Sequence, residues 1–269
     1  MKLINADCLA AMDDLIAESA VIDMVLCDLP YGATKNKWDS IIDIESLWVR
    51  WKQLLKPKGV VVLFGQDKFT AKMMLSNEKW HRYNLIWQKT TPTGFLNAKR
   101  MPLRTHEDIM VFYKELPTYN PQKTTGHQRK VSKAEHKINC VKTTNYGEHE
   151  LHTYDSTERY PTSVLRFKSD KQKCSLHPTQ KPLALCEYLI KTYTNEGECV
   201  LDNCMGSGTS GVAAMNLNRK FIGIELDEKY FDIAKERIEN NCEIVKQKGG
   251  EQPALVGGGT YESCATSLS

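Results

Sequence analysis

Short apolar runs alternate along the chain with stretches in which apolar residues recur every three or four positions. This is the pattern of a parallel sheet flanked by helices. Strands are expected at 2–5, 22–27, 59–64, 83–88, 108–113, 198–202 and 220–225. Helices are expected at 7–17, 45–55, 67–75, 182–193, 209–217 and 228–241. Two strands end abruptly. Leu26-Cys27-Asp28 and Leu201-Asp202 run from apolar residues straight into an acid and then into turn chemistry. In open α/β sheets ligands sit at such carboxyl ends.

Composition narrows the setting. The 269 residues can bury a large core and still carry an insertion. Asp7, Asp13 and Asp14 interrupt the stretch that a signal peptide needs apolar. No run approaches the ~20 apolar residues of a membrane-spanning helix. The nine cysteines are scattered with no Cys-x-x-Cys pair, which suits reduced, mostly buried thiols in a cytoplasmic protein. Cys174 and His177 lie close in sequence, but no second ligand pair answers them, so no metal site is expected.

The middle of the chain departs from the α/β rhythm. From 114 to 147 there are seven Lys or Arg against two acids, with almost no apolar periodicity. That surplus exceeds the whole chain's +3, so the remainder is slightly acidic. A solvated surface excursion is the plain reading of such a run. The asymmetry favours a basic lobe that meets phosphates, with Arg129, Lys130, Lys133 and Lys137 as its candidate DNA-binding residues. The tail from 246 to 269 is rich in Gly, Ser and Thr, without periodicity, and is expected to be flexible.

After Asp202 comes Asn203-Cys204-Met205-Gly206-Ser207-Gly208-Thr209-Ser210-Gly211, a Gly-x-Gly-x-x-Gly pattern opening a helix. Glu225 follows at the end of the next strand, where an acid binds ribose hydroxyls in dinucleotide sites. Glycines let the backbone approach a cofactor, and the helix start offers free N–H groups. Taken alone, the loop serves a nicotinamide dinucleotide or S-adenosylmethionine equally well, and a purely structural turn stays open.

The other strand end reads Asp28-Leu29-Pro30-Tyr31-Gly32. An exocyclic base amine has its lone pair delocalised into the ring. Two acceptors converging on its hydrogens would make the nitrogen a better nucleophile. The Asp28 carboxylate and the Pro30 carbonyl are of the right kind, proline fixes the turn, and Tyr31 offers a ring for an extruded base to stack on. On composition alone the segment reads equally as a strand-ending turn.

A third segment, His177-Pro178-Thr179-Gln180-Lys181-Pro182, precedes the helix that leads to the glycine loop. With Asp28–Tyr31 first, the basic region next, then 177–182 and 202–209, the order resembles the β-class DNA amino-methyltransferases. Phe221-Ile222-Gly223-Ile224-Glu225-Leu226 is similar to that family's ribose-binding strand. Asn5-Ala6-Asp7-Cys8 is similar to its adenine-contacting segment, and Arg104-Thr105-His106-Glu107-Asp108 to a further shared block. The resemblance covers roughly 2–113 and 165–241.

That resemblance implies a Rossmann-like, doubly wound α/β fold of seven mostly parallel strands in circularly permuted order. A basic target-recognition region would be inserted in it. It divides the chain into a catalytic half at 1–113, the insertion at 114–165, a cofactor-binding half at 166–245 and the tail at 246–269. It implies S-adenosylmethionine as cofactor and double-stranded DNA as substrate, with N6 of a flipped adenine methylated. Asp28 and Pro30 would polarise the amine and Tyr31 would stack on the base. Asp7, Cys8 and Glu225 would hold adenosine. Asp28, Lys181, Asp202, Cys204, Gly206, Ser207, Gly208 and Thr209 would surround the rest of the cofactor. A homodimer and a cognate restriction endonuclease fit the same family.

Two departures stand out. Leu29 replaces a proline at the second catalytic position, and Asp202-Asn203-Cys204 stands where the family has Asp-Pro-Phe, removing an aromatic cofactor contact. N4-cytosine methylation is the nearest rival, because it uses the same fold; Asp rather than Ser at the first catalytic position favours adenine. An oxidoreductase using the loop for NAD would leave 28–31 and 177–182 without a role.

Overall fold

The computed structural model describes residues 1–32, 41–133, 152–168 and 180–247, with side chains to 240. Lys137, the His177-Pro178-Thr179 part of the third motif and nearly all of the tail lie outside them. Every expected strand and helix is present. In chain order they are β1 (Lys2–Asn5), α1 (Cys8–Ala17), β2 (Ile22–Cys27), α2 (Ile44–Leu54), β3 (Leu55–Gly65), α3 (Asp67–Ser76), β4 (His81–Thr93) and β5 (Arg104–Tyr113). After two short strands, β6 (Lys130–Ser132) and β7 (Tyr154–Ser156), come β8 (Val164–Phe167), α4 (Leu183–Tyr193), β9 (Cys199–Asp202), α5 (Thr209–Asn216), β10 (Lys220–Glu225) and α6 (Glu228–Gln247).

One sheet carries eight strands in the order β1-β10-β9-β2-β3-β5-β4-β8. The seven expected strands form it, and β8 joins at the edge, parallel to β4 from Ile86↔Val164 to Lys89↔Phe167. Only β5 runs against its neighbours. Strands buried on both faces need apolar side chains at every position, and the Val60-Val61-Val62-Leu63-Phe64 run of β3 meets that need. Val61 and Leu63 point to the layer of α1, α2 and α3, with Trp48, Trp51 and Met12. Val60, Val62 and Phe64 point to the layer of α4, α5 and α6, with Leu189, Val212 and Ile238. The alternation repeats in β5, where Met110 and Phe112 face the first layer and Ile109 and Val111 the second.

The sheet is doubly wound about the β9–β2 pair, which is in parallel register through Met24↔Val200 and Val25↔Leu201. From β9 the chain proceeds to β10 on one side, and from β2 to β3 on the other. Crossovers therefore diverge between these two strands, opening a crevice outside their carboxyl ends. Asp202 and Asp28 stand at its two lips.

Chain contacts separate this main unit, Met1–Asn120 with Thr162–Glu251, from a smaller one whose described part lies within Pro121–Pro161. The smaller unit holds the antiparallel β6–β7 pair, Lys130↔Ser156 to Ser132↔Tyr154, and a bridge between Thr124 and Arg159. Among the described residues no helix is long and apolar enough to cross a membrane.

Candidate active site

The β2 end is built around one carboxylate. Tyr31 donates its hydroxyl to Asp28 Oδ1 at 2.6 Å, and Lys181 Nζ donates to Asp28 Oδ2 at 2.5 Å. The Lys181 side chain is only 9% exposed, and its ammonium also lies 3.3 Å from Glu107 Oε2. Lys89 in turn pairs with Glu107 Oε1 at 2.6 Å. Charges thus alternate Lys89, Glu107, Lys181, Asp28, drawn from β4, β5, the approach to α4 and the end of β2. Burial works against the Lys181 charge, but the Asp28 and Glu107 carboxylates outweigh it and hold its pKa above the usual lysine range. Burial likewise opposes ionised Glu107, yet Lys181 and Lys89 hold its carboxyl below the ordinary glutamate range. Lys181 and Glu107 therefore each hold the other ionised at neutral pH.

Tyr31 also packs its ring on Phe69 of α3, centroids 4.7 Å apart at 38°. Burial, then the Asp28 charge, raises its phenol well above the usual range, so the hydroxyl stays a donor. Leu29 points into the core beside α1 and α2, which explains why an apolar residue serves at that position. Among the described residues nothing donates to the Pro30 carbonyl.

The β9 end forms the other lip. Asp202 is buried; its Oδ2 accepts from Ser210 Oγ at 2.5 Å and its Oδ1 from Cys204 N at 3.1 Å. Burial, partly offset by these donors, raises its pKa to about 6. Gly206 and Gly208 adopt φ of 53° and 76°, left-handed conformations that favour glycine. A Cβ on Gly208 would meet Ala234 Cβ of α6 at 2.9 Å, so α5 and α6 approach closely only because that side chain is missing. Thr209 Oγ1, at the first turn of α5, is buried and has no hydrogen-bond partner among the described residues. Glu225 spans the loop: Oε2 accepts from Gly206 N at 2.8 Å and Oε1 from Asp227 N at 2.9 Å, and burial raises its pKa. These donors still leave acceptor capacity on the carboxylate.

The adenine-side residues are less uniform. Asp7 caps α1, accepting from Leu9 N and Ala10 N at 3.0 and 3.1 Å. Asn5 Nδ2 donates to the Glu225 carbonyl at 2.8 Å, fastening β1 to the end of β10. Cys8 and Cys204, both expected to touch cofactor, have their thiols side by side, and Cys27 lies next to Cys204. Burial pushes the Cys27 thiol up to about 12, and the neighbouring thiols, with burial, raise Cys8 and Cys204 as well. None is available as a thiolate nucleophile. In place of the family's proline, Asn203 is buried and accepts from Trp51 Nε1 at 3.1 Å. The substituted dipeptide is thus bound into the α1–α2 layer.

The candidate DNA-binding residues fall in the smaller unit. Arg129 is bound fork to fork by Asp155, Nε to Oδ1 at 2.7 Å and Nη2 to Oδ2 at 2.6 Å. Lys130 and Lys133 are exposed at β6 and just beyond it. Sequence reasoning missed Glu107 and Lys89 as site residues. The available signal was an acid and a lysine at the inner ends of apolar strands, where a lone charge is costly.

Fold and site define the class: a doubly wound α/β methyltransferase, with a glycine loop on one lip and a carboxylate held by a buried lysine on the other. The chain belongs to the DNA methylase family, whose model matches residues 22–236. It is 30% identical over 266 residues to Type II methyltransferase M2.DpnII of Streptococcus pneumoniae, covering 89% of this chain and 90% of that protein. It is 27% identical to DNA adenine methyltransferase YhdJ of Escherichia coli K12, over 88% of this chain and 82% of the other. Among solved structures, the M1.HpyAVI–SAM complex matches with a TM-score of 0.61 and 27% identity, covering 88% of this chain and 98% of that one.

Proposed function

We propose that the chain methylates N6 of adenine in double-stranded DNA, using S-adenosylmethionine. The observation that carries this reading is the meeting of Asp28 and the glycine loop at adjacent strand ends. The donor's sulfonium supplies an activated methyl group when bound. The residues present fit it. Buried Thr209 Oγ1 has no partner among the described residues, the α5 N-terminus offers N–H groups to a carboxylate, Asp202 suits an amine, and Glu225 keeps acceptor capacity for ribose hydroxyls.

The amine chemistry belongs to the other lip. Lys181 holds Asp28 Oδ2, so the carboxylate presents Oδ1. Entry of a flipped adenine displaces the Tyr31 hydroxyl from Oδ1. The amine then donates one hydrogen to Oδ1 and the other to the Pro30 carbonyl. These two acceptors draw the nitrogen lone pair out of the ring and aim it at the methyl group. Asp28 Oδ1 is also the nearest acceptor for the proton released as the N–C bond forms. Acceleration comes from positioning and from fixed charges already oriented before reaction. Asp28 at this position and the similarity to an adenine-specific relative favour adenine over cytosine.

The test is incubation with methyl-labelled S-adenosylmethionine and unmethylated DNA, followed by nucleoside separation. Label in N6-methyladenine is expected, falling by about 10²-fold or more with Asp28→Ala. Label in N4-methylcytosine would overturn the base assignment and keep the mechanism.

A further inference from the structure

β4 and β5 run on past the end of β3. β3 ends at Gly65 opposite Asp108, whereas β4 and β5 stay paired to Gln88↔His106 and, after a register shift, at Thr93↔Arg104, with β8 beside β4 as far as Lys89. Four further residues of strand span roughly 13 Å at about 3.3 Å each. The stem is fastened back near its outer end, where Arg104 pairs with Gln66 and Asp67 ahead of α3. It also starts at the catalytic lip, because Glu107 of the same strand reaches Lys181 at 3.3 Å.

Residues 94–103 cross between the two strands. Gly94, at φ 88°, turns the chain into a short 3₁₀ helix, Phe95–Asn97. Phe95 is 77% exposed and Leu96 84%, with Met101 and Leu103 exposed beside them. Single exposed apolar residues are ordinary, but four within nine residues on one projecting turn form a patch that water disfavours. Lys99 and Arg100 lie exposed in the same turn. An apolar tip with cations next to it suits a surface that is itself apolar inside and phosphate-lined outside.

We propose that this turn is a wedge for duplex DNA, with Phe95 and Leu96 entering the stack where the target base leaves it and Lys99 and Arg100 meeting the flanking phosphates. Extruding a base costs a few kcal/mol of stacking and pairing, and an inserted apolar side chain offsets part of it. The wedge rests on the reading that the target adenine leaves the helix to reach Asp28.

The experiment first maps the methylated sites by sequencing DNA treated with the wild-type protein. Two short duplexes carrying that site are then compared, one with the target adenine paired and one with it facing an abasic position. For Phe95→Ala/Leu96→Ala, kcat/KM on the paired duplex is expected to fall by roughly tenfold or more. On the unpaired target it stays within about threefold of wild type, since no pairing remains to be broken. Lys99→Gln/Arg100→Gln should lower the slope of log K against log salt by about two. Equal losses on both duplexes, or no loss on either, would overturn the wedge. So would a shift from dimer to monomer in sedimentation with the paired and unpaired rates unchanged, which would make the turn a contact between copies of this chain. With 2-aminopurine at the target, a wild-type protein that causes no fluorescence rise would instead remove the flipping reading on which the wedge depends.

Discussion

Lys181 donates to Asp28 Oδ2 at 2.5 Å across 153 residues of sequence. The bond joins the motif ahead of α4 to the motif after β2, and Glu107 and Lys89 continue it into the sheet. A buried cation shared by two carboxylates cannot be removed without leaving them uncompensated. Lys181→Met should therefore destabilise the protein by about 3–5 kcal/mol, read by urea unfolding. Glu107→Gln leaves Asp28 its partner but loosens that partner's position. It should lower kcat with little change in the KM for S-adenosylmethionine, and Glu107→Asp should recover part of the loss. A matching rise in KM would place Glu107 in cofactor binding instead.

Asp202 carries a pH dependence. Its folded pKa of about 6 lies above the unfolded 3.8, so the folded chain holds this proton over the wider range. Ionisation then costs stability as pH rises from about 4 to about 6. A bound ammonium group needs the ionised form. Affinity for S-adenosylmethionine should accordingly fall as pH drops below about 6, by up to tenfold per unit. Titration calorimetry across pH 5–8 (about the range of interest here) reads the effect, and Asp202→Asn should weaken binding and flatten the profile.

Gly208 combines a left-handed φ with a closed space. In Gly208→Ala the new Cβ would sit 2.9 Å from Ala234 Cβ and 3.0 Å from Ile238 Cδ1. The helices must part or the loop must change shape. A loss of about 1–3 kcal/mol in stability is expected, together with weaker cofactor binding. Thermal melting with and without S-adenosylmethionine separates the two effects: the stabilisation by ligand should shrink as well as the melting temperature.

In the smaller unit, Arg129 is already answered by Asp155, whereas Lys130 and Lys133 are exposed lysines of the same basic stretch. Lys130→Gln/Lys133→Gln should weaken DNA binding and reduce the salt slope by about two. Arg129→Gln should reduce it by less. A larger effect from Arg129 would mean that DNA takes it from Asp155.

Periodicity along the chain was enough for the seven long strands and six helices, because burial on one stripe or on both faces of an element writes itself into neighbouring residues. Asp28, Asp202 and the glycine loop were legible for a similar reason: each is a local motif whose chemistry lies within a few positions. β6, β7 and β8 bury almost nothing, Leu165 of β8 alone among their residues, so no apolar run marks them as the runs of β1 and β9 do. Tertiary structure alone decided which strand ends meet. Nothing near Asp28 in sequence announces Lys181 as its partner, since a lysine looks the same locally whether it is solvated or paired in the interior. Nor could local pattern show that Glu107 and Lys89 complete the charge chain, that Cys8 and Cys204 turn to each other, or that Asp155 neutralises Arg129. Each of these depends on strand pairing between residues far apart along the chain, and the energies that select them are pairwise and long-range.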